Sequence, residues 1–518
     1  MREHRDVKSA AGRSLHVLAG VVAGVAGIAV SHAATMVLNV RATPLVAVAE
    51  AVIEVTPGGL AESLIQLVGQ YDKPALIVGV TLGLLALSAL AGVLSQRAQV
   101  LATVVFLGMG VIALVAVSTR PGFSTYDVLP VVAGTITWIV VLSLLVARLP
   151  DPTVQTGDQT ALDQPGRERR SFLIRAGLVA GAAAVIGVGG QFLGQARRGV
   201  EASRRLLRLP VTSGRVTNGA DLGVEGIASW RTANSEFYRI DTALIVPSID
   251  VNQWRLRIHG MVENEIVLTY QDLVERELTE AWVTIACVSN EVGGDLIGNA
   301  WWSGVRIADL LTEVGVSPDA DAVLQTSEDG WNCGTPLSVL TDDRNAMLAI
   351  AMNGEPLPVE HGFPVRMIVP GLYGYVSATK WLVDIEVTRF DTFTAYWTER
   401  GWSAEGPVKT QSRIDVPRDG SDVSAGTRNV GGSAWAQHTG IERVEIRMDG
   451  QEWREATLGR VPGADTWVQW AAEVEVPKGS HTLAVRATDR SGYTQTAART
   501  DVVPDGATGW HTVEFSAE

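Results

Sequence analysis

Five stretches of about 20 mostly apolar residues crowd the first 195 positions: 15–38, 75–95, 100–118, 128–147 and 172–194. A bilayer's hydrocarbon core is about 30 Å thick, and a helix needs about 20 residues to cross it. No water-soluble fold exposes so many such segments, so this half is expected to be a helical membrane bundle. Residues 44–69 are also apolar, but Glu50, Glu54, Glu62 and the pair Gly58-Gly59 interrupt them, so they read as a helical interfacial segment rather than a span. Among the span glycines, Gly79, Gly83, Gly108, Gly110 and Gly134 suit close helix packing. His16 and His32 both fall on the first stretch, whereas a membrane haem wants histidines on facing helices.

Charge gives the direction. Arg2, Arg5, Lys8 and Arg13 precede the first stretch, Arg97 lies between the second and third, and Arg148, Arg167, Arg169 and Arg170 lie between the fourth and fifth. The opposite loops hold only Arg41, Lys73 and Arg120. Because positive loops stay in the cytoplasm, the N-terminus is expected inside and residues 195–518 outside a plasma membrane. Arg197, Arg198, Arg204, Arg205 and Arg208 argue the other way. The stretch "RRSFLIR" weighs against them. It resembles a twin-arginine export signal through Arg169, Arg170, Phe172, Leu173 and Arg175, although an ordinary anchor with basic flanks fits the same residues. That route carries proteins already folded, which implies a cargo loaded in the cytoplasm.

The other half is ordinary globular sequence. The chain's net charge is −14 and its pI near 5.2, with no basic stripe interleaved with aromatics, so nucleic acid is not an expected partner. Residues 201–234 read as a polar connector. From 235 to 400 the patterns alternate between strand and helix, giving an α+β domain. "WRLRIHGMV" predicts a strand, "TYQDLVERE" a helix capped by Thr269, and "WVTIACVSN" a buried strand ending at Cys287. "WSGVRIADLLTEVG" predicts a turn followed by a helix, and "AVLQTSEDGWNCGTP" a strand and hairpin. Past "TERGW", period-two alternation split by Asp-Gly and Arg-Ser-Gly turns predicts an all-β immunoglobulin-like sandwich over 401–518.

The two cysteines, Cys287 and Cys333, have no zinc or haem spacing. Cys287 enters a Gly-rich loop with Asn290, Glu291, Asp295 and Asn299; a thiol there can be a nucleophile or a soft-metal ligand, or a buried inert group. No histidine lies within 25 residues of it, which disfavours a Cys-His hydrolase or transferase. Cys333, in a hairpin, reads as a free structural thiol. Tyr373 and Tyr375 can be proton donors or packing residues, and Trp301-Trp302 reads as packing.

Three further stretches carry a family resemblance: "FYRIDTALIVPSIDVNQWRLRIHGMV", "TIACVSNEVGGDLIGNAWWSGVRIADLL" and "AMNGEPLPVEHGFPVRMIVPGLYGYVSATKW", followed by the sandwich. In their order and spacing, residues 235–518 resemble the sulfite oxidase family of molybdopterin enzymes. The resemblance implies one molybdenum on one molybdopterin, with Cys287 as its protein ligand and Asn290 and Glu291 beside it. It also implies Arg239, His361, Arg366 and Lys380, with Ser377 and Gly374 in the adjoining loop, as residues that hold the cofactor and its phosphate. It makes residues 401–518 a dimerisation domain. Each cofactor residue also has a plain structural role open to it: an ion pair of Arg366 with Asp309 or Glu360, a hydrogen bond for His361, a solvated strand end for Lys380.

Where family members that oxidise sulfite set arginines and a tyrosine around the anion, this chain has Glu291, Val292, Ile350 and Val376. The expected reaction is therefore oxygen-atom transfer on a small neutral S- or N-oxide or sulfur compound. Sulfite oxidation proper is the alternative, and a non-catalytic membrane-anchored binding module the alternative of another class. Without a haem segment of its own, the domain is expected to use a quinone or a cytochrome-type carrier as electron partner, and its dimerisation domain leaves a homodimer open.

Overall fold

The computed structural model describes residues 2–38, 40, 43–56, 72–120, 123, 125–147, 170, 173–183, 196–244 and 246–518. The chain divides into two compact units, 1–199 and 200–518.

The first unit is helical: α1 (Arg2–Val37), α2 (Pro44–Val55), α3 (Asp72–Leu94), α4 (Gln99–Ser118) and α5 (Val128–Val146). Four helical stretches, Ser14–Val37, Lys73–Leu94, Gln99–Ser118 and Thr125–Val146, are long and apolar enough to cross a membrane. A shorter apolar helix, Leu173–Ala183, covers part of the fifth stretch; its remainder, with Arg169 and Phe172 of the twin-arginine-like segment, lies outside the described residues. Helix α2 has 12 residues, too short to span, and starts at a Thr43 cap with a proline in its first turn. Its Glu50 pairs with Arg120 beyond α4 at 3.0 Å.

Small residues let the helices touch backbone to backbone. A Cβ at Gly20 of α1 or Gly92 of α3 would collide with the facing main chain, and Trp138 of α5 donates its indole N–H to Gly24 O at 3.0 Å. Of the expected packing glycines, Gly110 and Gly134 do sit against neighbours. Gly79, Gly83 and Gly108 have no neighbour among the described residues for a Cβ to meet, so they lie off the contact seams those residues form.

The second unit holds four sheets. The first runs in the order β2 (Ile266–Thr269), β1 (Arg255–Gly260), β10 (Leu382–Thr388), β5 (Ala322–Ser327) and β6 (Asn332–Pro336). The second runs in the order β3 (Thr279–Ala286), β4 (Ile297–Arg306), β7 (Met347–Met352) and β8 (Glu355–Pro356), with β9 (Arg366–Ile368) also on β7. Every residue of β7 is buried, as a continuous apolar run in a central strand should be. Thr269 caps the helix Tyr270–Val274 through a reciprocal box with Asp272. The expected turn at 302–306 is instead the end of β4, and the helix begins at Ile307; Trp302 and Val305 are pinned as strand by pairing with β7.

Residues 411–517 form two sheets, β11–β13–β17–β16 and β12–β19–β18–β14–β15, from nine strands: β11 (Gln411–Val416), β12 (Asp422–Val423), β13 (Gly426–Trp435), β14 (Ile441–Met448), β15 (Arg454–Glu455), β16 (Thr457–Leu458), β17 (Val468–Val476), β18 (Gly479–Asp489) and β19 (His511–Ala517). Val430 and Val474 of one sheet share a core with Val444, Val485 and Phe515 of the other. This layer is tied to the α+β part: Thr284 N of the edge strand β3 donates to Asp465 O at 2.9 Å, and Thr284 Oγ1 accepts from Trp467 N at 2.8 Å. Those bonds occupy an edge that would otherwise be open. The segment 201–234 is no free linker, because it buries Trp230, whose indole N–H donates to Trp467 O at 3.1 Å.

Candidate functional site

The β3–β4 connection makes the site. Beyond Ala286 the chain turns through 287–296 and is closed by Cys287 N donating to Leu296 O at 2.9 Å. Asn290 braces this loop from inside: its Oδ1 accepts Leu296 N at 2.8 Å, and its own N–H donates to Cys287 O at 3.1 Å. Gly293 adopts φ +84°, which favours glycine, and has His511 against it, while Arg413 donates to Gly294 O at 2.9 Å. The all-β layer thus holds the back of the loop, and the Cys287 side chain faces a cavity of about 860 Å³, counted out to solvent.

Cys287 is a free thiol, 8 % exposed. Burial pushes its pKa up, while hydrogen bonds from the Ser289 backbone and hydroxyl and the charge of Lys380 draw it down. The same cavity is lined by His361, Arg366, Gly374 and Lys380 of the expected set. Arg366 is buried and donates to His361 O at 3.1 Å and Ala378 O at 3.4 Å; its Nε has no partner, and burial lowers its pKa to about 10. Among the described residues no carboxylate pairs with it, Asp309 and Glu360 included; its guanidinium lies over the Trp302 ring, 5.2 Å from the centroid. Lys380 donates to Asp241 at 2.8 Å, and desolvation, opposed by that carboxylate, brings its pKa down to about 8.

The other expected residues stand outside the lining. Arg239 is half-exposed and paired with Asp241 at 2.8 Å. Ser377 is buried and donates to Tyr373 O at 2.8 Å. Glu291 is exposed, and Asn290 is spent on the loop. The two tyrosines offered as proton donors have hydroxyl partners in the chain: that of Tyr375 donates to Ser403 O at 2.8 Å, and that of Tyr373 accepts Lys409 N at 3.4 Å. Cys333 is fully buried against Thr379, its thiol pushed up to about 12.

Sequence reasoning passed over Tyr238, Asp241, Ser289 and Asp329. Tyr238 feels both Cys287, which with burial raises its hydroxyl pKa, and Arg366, which lowers it. Asp329 in the β5–β6 hairpin is raised by burial and by Asp241. The one available signal was the pair of opposite charges in "RID", two residues apart.

His361 is buried, its Nε2 lies 3.1 Å from Asn234 O, and desolvation together with Arg366 and Lys380 holds it down to about 4. Its folded pKa is depressed below 6.5, so the unfolded chain binds the extra proton. The stability it contributes is whole above about pH 6.5 and is lost as pH falls toward 4, the loss reaching about 2 kcal/mol at pH 5. The thermal midpoint of the second unit, followed by tryptophan fluorescence in the detergent-solubilised chain, should fall less between pH 7 and 5 in His361→Gln than in wild type.

A buried thiol and a buried cation with an unpaired N–H, both lining one cavity, offer a soft donor and an anion-binding group. The family described as oxidoreductase molybdopterin binding domain matches residues 243–397. The uncharacterized oxidoreductase YuiH of Bacillus subtilis is 34% identical over 157 residues, covering 30% of this chain and 76% of that protein. The mitochondrial sulfite oxidase of Macaca fascicularis is 29% identical over 289 residues, 47% of this chain and 53% of the relative, so the chain spans about half the length of that relative. The sulfane dehydrogenase SoxCD from Paracoccus pantotrophus aligns with TM-score 0.49 at 23% identity over 62% of this chain and 92% of that one. The chain belongs to the sulfite oxidase family of molybdopterin-dependent oxidoreductases. That family consists of molybdenum-dependent oxidoreductases, and molybdenum on molybdopterin is the cofactor it implies.

Proposed function

We propose that Cys287 is the protein ligand of the molybdenum and that the enzyme moves an oxygen atom to or from a small, uncharged S- or N-oxide or sulfur compound. The observation that carries this is the buried Cys287 thiol, in no disulfide, in one cavity with the carboxylate-free cation Arg366. The bound cofactor would supply two-electron oxygen-atom chemistry. The chain's own part is to hold it. Ser289 would steady the thiolate, and Arg366, Lys380 and His361 would hold the pterin and its phosphate, with Gly374 in the lining and Arg239 and Ser377 behind.

A neutral substrate is favoured because, among the described residues, Arg366 is the only arginine lining the cavity, and Ile350 and Val376, which stand where sulfite-oxidising members carry a tyrosine and an arginine, are apolar and buried outside that lining. Sulfite would forgo charge-assisted hydrogen bonds worth about 1.5–3 kcal/mol each. Four apolar helices support an anchor in the plasma membrane, with the second unit on the extracytoplasmic side after export in a folded, loaded state. Electrons then pass to or from a quinone or a cytochrome-type carrier. The two C-terminal sheets serve as an immunoglobulin-like layer able to pair two copies.

The purified full chain, supplied with an artificial electron carrier, should turn over sulfoxides or N-oxides and leave sulfite nearly untouched. Sulfite turnover at ordinary enzyme rates would instead establish the second reading, sulfite oxidation, which the likeness to mitochondrial sulfite oxidase favours.

A further inference from the structure

The charged lining of the cavity comes from Asp241, Asp329, Arg366 and Lys380, but another part of its wall is almost wholly aromatic. Trp397 and Trp402 bracket a tight turn, with Trp402 N donating to Trp397 O at 3.1 Å and Gly401 at φ +92°. Their rings lie 6.3 Å apart, and Trp402 is 5.8 Å from the ring of Tyr375. The Tyr375 hydroxyl is tied to Ser403 O and Glu405 O, so the ring is fixed against this turn and its polar end is withdrawn. Ser403 N is anchored on Pro504 O at 2.9 Å. Trp331 reaches the same cavity from the β5–β6 hairpin, whose turn is closed by Ser327 N to Trp331 O at 2.8 Å. All three indoles are only partly buried, unlike the core tryptophans Trp230, Trp254 and Trp302.

Indoles held half-exposed on anchored turns in a cavity wall keep apolar area available for a ligand. We propose that Trp331, Trp397, Trp402 and Tyr375 form a selecting rim that takes an apolar, preferably aromatic, body attached to the reacting sulfur or nitrogen. The inference rests on the reading of the cavity as the site of oxygen-atom transfer and deepens it: the preferred substrate is an aryl-bearing oxide rather than the smallest one. In the sulfoxide direction the S=O bond breaks, and sulfur gains two electrons from two reduced viologen molecules. The oxygen leaves as water with two protons from solvent.

The test compares kcat/KM for methyl phenyl sulfoxide and dimethyl sulfoxide in the molybdenum-loaded full chain. Wild type should prefer the aryl compound by about tenfold or more. Trp402→Ala and Trp331→Ala, on separate segments, should each cut that ratio by about fivefold, and Trp402→Phe should keep most of it. No aryl preference in wild type, or a ratio unmoved in both alanine variants, overturns the proposal. If neither sulfoxide is turned over by loaded protein, the oxygen-transfer reading for sulfoxides fails, and calorimetric titration with the inert methyl phenyl sulfone then decides the rim. Saturable binding that weakens in both alanine variants upholds it, and no binding, or binding unchanged by them, overturns it.

Discussion

With Cys287 replaced by alanine, the chain is expected to fold and lose its metal. The sulfur lies on a cavity wall, so its removal opens no sealed void, and the loop 287–296 keeps its closure through backbone bonds and Asn290. The stability cost should be about 1 kcal/mol or less. The metal, however, loses its protein ligand. Molybdenum content should drop from about one per chain to a small fraction of that, and turnover by about a thousandfold, or about 4 kcal/mol of transition-state stabilisation. Circular dichroism, thermal melting and metal analysis on the same preparation separate the two effects. A Cys287→Ala protein that melts as wild type and still carries stoichiometric molybdenum would remove the thiol from the site and return Cys287 to the buried, inert class that Cys333 represents.

That contrast shows how far the sequence could be read. Both cysteines are buried; only their places in the fold and their partners separate them. Cys333 is enclosed with Thr379 inside the first sheet, whereas Cys287 stands where β3 stops and a Gly-rich loop opens. The loop glycines were visible, and so were the strand periods, the Thr269 cap and the alternation of the C-terminal layer, because each is a local pattern. The end of β4 was read as a turn because Ser303-Gly304 is turn-like by composition, while pairing with β7 is a long-range fact that no local window contains. The same limit explains the tyrosines: Tyr375 lies in the right loop, but what removes its hydroxyl is a carbonyl at Ser403, 28 residues on. Arg239 was expected among the residues lining the cavity, and its neighbour Asp241 was not expected at all. In the fold one buried carboxylate gathers both Arg239 and Lys380, an arrangement set by the approach of two distant segments.

Arg366 supplies the second large effect, and its sign differs between the loaded and empty protein. Bringing a guanidinium out of water costs several kcal/mol per ion unless it is paired. Two carbonyl contacts, one of them long, and an indole face return part of that, and the buried Nε receives nothing. Replacing Arg366 with methionine keeps much of the aliphatic stem, removes the buried charge and leaves the His361 and Ala378 carbonyls short of a donor, at about 1–3 kcal/mol. These terms nearly cancel, so the cofactor-free variant should melt within about 4 °C of cofactor-free wild type. In the loaded protein nothing cancels, because the anion that completes the site has lost its counter-charge. Retention of pterin and molybdenum through dialysis should weaken by about 10–100-fold, equivalent to about 1.4–2.8 kcal/mol. Arg366→Lys, which keeps the charge but not the planar fork, should fall between the two. A methionine variant that unfolds even without cofactor would make Arg366 a structural residue, and one that loads and retains molybdenum as wild type does would mean the phosphate is held elsewhere.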